Sequence, residues 1–250
     1  MKYLRSPVRL ITSFMIAFAL TGNVHSARVK VAVASNFTAP MKEIAKAFNQ
    51  STGHQALISF GSTGKLYAQI HHGAPFEVFL AADQERPELL FKQGYSNQPD
   101  TYAIGKLALW SSNPELLKQG SDILSGDAFK RIAIANPKTA PYGVGAIQIL
   151  EKLQLANKLK PKLVMGENIA QTYQFVITGN AQLGFVAISQ VAKSDKDHYW
   201  APPQDMYDPL KQDVVLLKKG QSNPVADEFL AFLASDEAKA IIHRYGYATE

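Results

Sequence analysis

The sequence predicts an α/β protein of two lobes, each a mainly parallel sheet flanked by helices, with a ligand cleft between them. Three observations lead there. Short apolar runs fit for buried strands alternate with helical segments. The alternation stops at a long extended stretch, residues 103–111, and then restarts. A late strand and a last helix close the chain, so two extended crossings join the lobes. The 250 residues allow one large domain or two small ones with ample core. The expected division is a leader over 1–27, a first lobe of 28–105 plus 212–250, and a second lobe of 106–211.

Residues 29–34 (VKVAVA) are a short apolar run suited to a buried parallel strand. A helix over 41–49 follows, with Met41, Ile44, Ala45 and Phe48 at helical spacing; Pro40 falls in its first turn, where a missing N–H costs least. Residues 56–60 (ALISF) form the second strand. The GSTG loop then opens a helix with Leu66 and Ile70 on one face, ended near Gly73. Residues 78–82 (VFLAA) are the third strand, and a helical segment runs from Pro87 to Gln93. A βαβαβα series predicts parallel pairing with right-handed crossovers.

After the crossing at 103–111 (AIGKLALWS), residues 131–135 (RIAIA) are a strand, 137–143 a loop and 145–155 a helix. Strand 162–165, helix 169–177 ended by Gly179, and strand 182–188 complete the second unit. A polar, Pro-rich stretch spans 193–209. Strand 213–217 and one helix over 225–242 end the chain, the helix packing back on the first lobe.

The N-terminus reads as an export signal. Lys2, Arg5 and Arg9 form a basic n-region, residues 10–20 (LITSFMIAFAL) an apolar core, and Val24 and Ser26 fit a small-residue cleavage rule. The core is short of the roughly 20 residues a membrane span needs. Removing residues 1–26 takes away three basic residues and no acidic one, so the net charge falls from +5 to +2. A nearly neutral mature chain gives no reason to expect nucleic acid or a membrane surface as partner. With no cysteine, disulfides, thiolate metal sites and cysteine nucleophiles are excluded, and so is a lipid anchor, which needs a cysteine at the cleavage site. The protein is expected soluble and free in the periplasm, with no reason to expect anything but a monomer.

Residues 59–66 (SFGSTGKL) look like a phosphate cradle. A P-loop needs Gly, four residues, then Gly-Lys-Ser/Thr. Here Ser59 stands where the first glycine belongs and Leu66 where a hydroxyl should hold magnesium. What survives is a glycine-rich loop entering a helix, which can bind an anion without nucleotide chemistry.

In open α/β sheets, ligands sit beyond the carboxyl ends of strands. Those ends are 35–36, 61–64, 137–143 and 166–168. Each couples a strand to a helix start and offers free N–H groups with about half a positive charge of dipole. Ser35, Asn36, Ser62, Thr63 and Tyr142 add side-chain donors; for any one of them, N-capping alone is the plainer explanation. Four such ends with little charge between them suit a compact anion. The loops at Ser35, Thr63 and Tyr142 hold no carboxylate. Phosphate keeps a proton at neutral pH and wants an acceptor; sulfate, molybdate and tungstate want donors only. Glu167, in the fourth loop, is expected to face solvent.

At this point the chain resembles a known family. Residues 31–41 (VAVASNFTAPM), 59–65 (SFGSTGK), 73–83 (GAPFEVFLAAD), Asn136-Pro137 through 140–143 (APYG), 183–187 (LGFVA) and 244–247 (RYGY) look like the periplasmic molybdate-binding proteins of molybdate ABC transporters, in order, over essentially the whole mature chain. The resemblance implies a periplasmic-binding-protein type II fold that takes molybdate, and with it tungstate, in the interlobe cleft and hands it to a membrane ABC permease. It implies no enzyme activity, no cofactor and no metal ligated by a side chain, since the metal arrives as its oxyanion. Matched by position, it implies Ser35 with Asn36, Thr63 (serine in many relatives), Tyr142 through its backbone N–H, and Ile169 through its backbone N–H. Where some relatives have a tyrosine donor this chain has Ala187, and Asn36 or the Tyr142 phenol is expected to replace it.

Other readings stay open. Sulfate or another oxyanion fits the same donor set, and only pocket radius separates it. A secreted phosphate-ester enzyme needs a nucleophile or metal ligands that the four loops do not clearly supply. Tetrapyrrole-forming enzymes of this architecture carry their cofactor on a cysteine, absent here; an iron receptor wants paired tyrosines. Lys65 and the adjacent His71 and His72 are expected on the surface, and the Trp200 segment as a packed loop near a lobe crossing.

Overall fold

The computed structural model describes residues 26–192 and 198–249. The expected leader therefore lies almost wholly outside the described residues, as does the start of the Pro-rich stretch.

The first unit runs β1 (Arg28–Ala34), α1 (Thr38–Thr52), β2 (Gln55–Gly61), α2 (Thr63–His71), β3 (Val78–Leu80) and α3 (Glu85–Lys92). Then come β4 (Asp100–Gly105) and β5 (Leu107–Trp110), followed by β6 (Ile132–Ala135), α4 (Pro141–Lys152), α5 (Ala156–Leu159), β7 (Leu163–Gly166), α6 (Ile169–Ile177), β8 (Leu183–Ala187), α7 (Ile188–Val191) and β9 (Tyr199–Trp200). The chain ends with β10 (Leu210–Leu216), α8 (Pro224–Leu233) and α9 (Asp236–Arg244).

Two five-stranded sheets result, ordered β2-β1-β3-β10-β4 and β7-β6-β8-β5-β9. In the first, β1 pairs in parallel with β2 and β3, and β10 runs antiparallel to β3 and β4. In the second, β6 pairs in parallel with β7 and β8, and β5 is antiparallel to β8 and β9. The stretch read from sequence as one crossing strand is therefore two, β4 in one sheet and β5 in the other, with the chain changing lobes at Lys106.

Both faces of each sheet are covered, which is why the central strands are apolar throughout rather than alternating. Val29, Val31 and Val33 face a core built with α1, α8 and α9, while Ala32, Phe79 and Val215 face α2 and α3. In the second lobe Leu107, Leu109 and Ile134 face α4, and Ala108, Ala133 and Val186 face α6. The edge strand β2 instead alternates between half-buried and exposed.

Two of the differences in helix boundaries bear on the site and on the end of the chain. Helix α4 begins at Pro141, so Tyr142 and Gly143, expected in a loop, lie in its first turn. Proline fits a first helical position because the N–H it lacks has no partner there. The single last helix is two: α8 stops at Leu233, and Ser235 caps α9 by accepting from the Ala238 N–H. The apolar periodicity runs through this break, so the pattern alone could not reveal it.

Candidate functional site

Four chain segments meet between the lobes. The 3-10 turn Ser35–Phe37 follows β1, α2 follows β2, α4 follows β6 and α6 follows β7. Their N-terminal ends, with Ala82 after β3, line a cavity of about 10 Å³. That is below the ~300 Å³ at which pockets begin to hold drug-sized molecules, so the space suits a small ion. All five residues singled out in the sequence, Ser35, Asn36, Thr63, Tyr142 and Ile169, line this one cavity. Its lining carries no charged side chain.

The helix starts are mostly uncapped. No side chain caps the turn at Ser35, α2 or α4; only at α6 does Asn168 do so, accepting from the Gln171 N–H. The first-turn N–H groups of Thr63, Tyr142 and Ile169 have no carbonyl four residues back. N-capping thus fails to explain Ser62, whose position before α2 invites it. Its Oγ is buried without a hydrogen-bond partner, an uncommon state for a buried hydroxyl, and Ser62 lines the cavity. In the sequence Ser62 is one donor type beside Thr63; an orphaned hydroxyl shows only in three dimensions.

Thr63 has a second task. Its Oγ1 accepts the Ala82 N–H at 3.0 Å, leaving its own proton to give. Asn36 is used below the cavity rather than inside it: Nδ2 donates to Gln212 Oε1 at 2.8 Å and to the Tyr247 hydroxyl at 2.9 Å. The Tyr142 phenol accepts from Gln212 Nε2 at 3.1 Å. Both side chains offered as substitutes for a donor at position 187 are therefore committed to this network. Ala187 itself is buried at the end of β8, its N–H held by Gln190 Oε1. Ile169 is a core side chain, and only its backbone can serve a polar ligand.

Burial governs the titrating groups here. It pushes the Tyr102 and Tyr142 phenols well above 10, and Tyr247 up to about 12. All three stay protonated and neutral at physiological pH. Beside the cavity, burial raises the Asp83 carboxyl despite its ion pair with Arg86.

The other expectations have places too. Glu167 is mostly exposed, outside the cavity lining, and pairs with half-exposed Lys65 at 2.8 Å. This pair bridges the lobes, as does the Gly64 N–H donated to the Thr139 carbonyl at 2.9 Å. His71 and His72 are exposed, with His71 against Tyr67 and Tyr95. Among the described residues no cluster of three or more His, Cys, Asp or Glu could hold a metal ion. Trp200 pairs with Leu109 in the second sheet.

Two sheets joined by two crossings, with a small donor cavity between them, are the architecture of two-lobed solute receptors, which close by hinge motion. The chain belongs to the family of bacterial extracellular solute-binding proteins, whose profile matches residues 29–248. The molybdate-binding protein ModA of Azotobacter vinelandii is 51% identical over 230 residues, covering 90% of this chain and 91% of its own length. ModA of Rhodobacter capsulatus is 46% identical over 241 residues, covering 96% and 95%. The solved structure of the Azotobacter vinelandii periplasmic molybdate-binding protein superposes with a TM-score of 0.85 at 38% identity, over 89% of this chain and 99% of that one.

Proposed function

We propose that this protein is the periplasmic receptor of a molybdate ABC transporter, binding molybdate, and tungstate with it, between its lobes. It is a transport component rather than an enzyme. The observation that carries this reading is the donor cavity: four chain ends, no charged lining side chain, and one buried hydroxyl lacking a partner. A fully ionised oxyanion needs donors only, and neutral donors aimed from helix starts supply them at low desolvation cost. The relatives' names agree with that chemistry.

Ser35, Thr63 and Ser62 give side-chain hydroxyls in this reading. Backbone N–H groups come from Asn36, Tyr142 and Ile169, and Asn36 and Tyr142 also brace the cavity from below. Residues 28–105 with 210–250 form one lobe and 106–209 the other, since β10 pairs with β4 from Leu210 onward. The ligand bridges the lobes and so favours the closed arrangement through contacts that the open one lacks. The loaded, monomeric receptor then docks on a membrane permease, after export directed by residues 1–27 and without a lipid anchor.

The test is the melting temperature of the mature protein with molybdate, tungstate, sulfate or phosphate. Ligand at 100 times its dissociation constant adds about 2.7 kcal/mol. Molybdate and tungstate are expected to raise the melting temperature. No shift with either sinks the reading, and a shift with sulfate alone reassigns the receptor to sulfate.

A further inference from the structure

The Arg244-Tyr245-Gly246-Tyr247 segment takes no part in lining the cavity, yet it ends directly beneath it. After α9 the chain turns at Gly246, with φ of +81°, and pairs with the hinge-side strand β4. Ile104 N–H donates to the Ala248 carbonyl at 2.7 Å, and Ala248 N–H to that of Ile104 at 3.1 Å. Gly246 also lies hard against the second lobe: a Cβ there would stand 2.8 Å from Ile188 Cγ2. This strap delivers the Tyr247 side chain, edge-on to Phe37 and only 4% exposed, into the seam between the lobes.

There Tyr247 joins groups from both lobes. Its hydroxyl lies 2.9 Å from the Asn36 carbonyl, 3.0 Å from Ser189 Oγ and 2.9 Å from Asn36 Nδ2. Ser189 Oγ donates to the Asn36 carbonyl at 2.8 Å. One assignment uses each donor once. The two Asn36 Nδ2 protons go to Tyr247 and Gln212, Tyr247 gives to Ser189, Ser189 to the Asn36 carbonyl, and Gln212 Nε2 to Tyr142. Asn36, Tyr247 and Ser189 thus close a ring, from which Gln212 and Tyr142 branch. Asn36, Gln212 and Tyr247 come from the first lobe, Tyr142 and Ser189 from the second.

We propose that Tyr247 is a positioning residue for the anion site: its hydroxyl completes an interlobe ring that holds Asn36 and, through Gln212, Tyr142, and with them two of the chain ends facing the cavity, in the closed arrangement. The inference rests on the receptor reading above. Buried hydrogen-bonded rings act as units, because each broken link leaves a buried group unsatisfied. Loss of one hydroxyl thus loosens both lobes' hold on the ligand without touching the ligand.

The test compares wild type, Tyr247→Phe, Ser189→Ala and the double variant as full mature proteins. Tungstate and molybdate dissociation constants, dissociation rates and ligand-free melting temperatures are measured. Each single variant is expected to bind roughly three- to tenfold more weakly, mainly through faster dissociation, and the double variant no worse than the weaker single. A lower ligand-free melting temperature with unchanged affinity and dissociation rate means a structural role only and overturns the inference. Additive losses overturn the ring. Wild type that binds none of the oxyanions overturns the receptor reading itself, a failure visible before any variant is compared.

Discussion

At the scale of single residues, neighbours Ser62 and Thr63 do different work. Thr63 Oγ1 satisfies a backbone N–H of the next strand's end, whereas Ser62 Oγ is buried and satisfies nothing in the protein. Ser62→Ala should leave the ligand-free melting temperature unchanged or slightly raised, since it removes an unsatisfied buried hydroxyl. It should weaken molybdate binding about tenfold, the scale of a hydrogen bond to a charged group. Thr63→Ala strands the Ala82 N–H and should also cost about 1–3 kcal/mol of stability, a fall of several degrees for a chain of this size. Titration calorimetry with thermal melts separates the two; equal stability losses would refute the assignment. The sequence made all the donor types legible. It could not say which hydroxyl was already occupied, because Ala82 lies 19 positions from Thr63.

Among the elements, the end of β4 does most to set the geometry of the site. Gly105 has ordinary extended backbone, and its importance is steric. A Cβ there would sit 2.1 Å from the Tyr142 hydroxyl and 2.5 Å from Gln212 Nε2. Tyr142 is in the first turn of α4 and Gln212 is in β10, so the missing side chain lets three elements from two lobes share one point. Gly105→Ala should displace the Tyr142 phenol, cost about 1–3 kcal/mol as overpacking does, and reduce oxyanion affinity at least tenfold. A crystal structure of the variant with its melting temperature would check this, and an undisturbed Tyr142 would count against it. The sequence showed an extended crossing here but not its division into β4 and β5, because both halves are apolar and extended whichever sheet they join. For the same reason the break between α8 and α9 was hidden: both halves place their apolar residues against the same core, and only the cap at Ser235 separates them.

For the whole molecule, the cavity has no lining group that titrates near neutrality, and its three neighbouring phenols are pushed upward by burial. Oxyanion affinity should therefore be flat between about pH 6 and pH 9. Stability behaves differently at higher pH. The unfolded chain releases phenolic protons near pH 10, while the folded chain retains them, to about 12 at Tyr247. The folded state then binds more protons than the unfolded one, so stability is full below pH 10 and falls as pH rises through that window. Denaturant melts from pH 8 to 11 should show this decline, and Tyr247→Phe should make it shallower. A slope unaltered by the substitution would remove Tyr247 as a contributor.

The sequence by itself determined the layered α/β class, the order of nearly every long strand and helix, and the kinds of donor at the strand ends. These follow from local periodicity, from turn and cap chemistry, and from where short apolar runs begin and stop. The lack of cysteine and the overall charge balance are likewise plain in composition. Tertiary structure alone decided how the donors are used. It left Ser62 without a partner, gave Thr63 a backbone N–H to hold, and drew the amide of Asn36 and the phenol of Tyr142 into one network with Gln212, Ser189 and Tyr247. It also set Glu167 against Lys65 across the lobes. The physical reason is distance along the chain. A hydrogen bond joining Asn36 to residues 176 and 211 positions away leaves no trace in local pattern, and whether a hydroxyl is free depends on every group that folding brings within 3 Å or so of it.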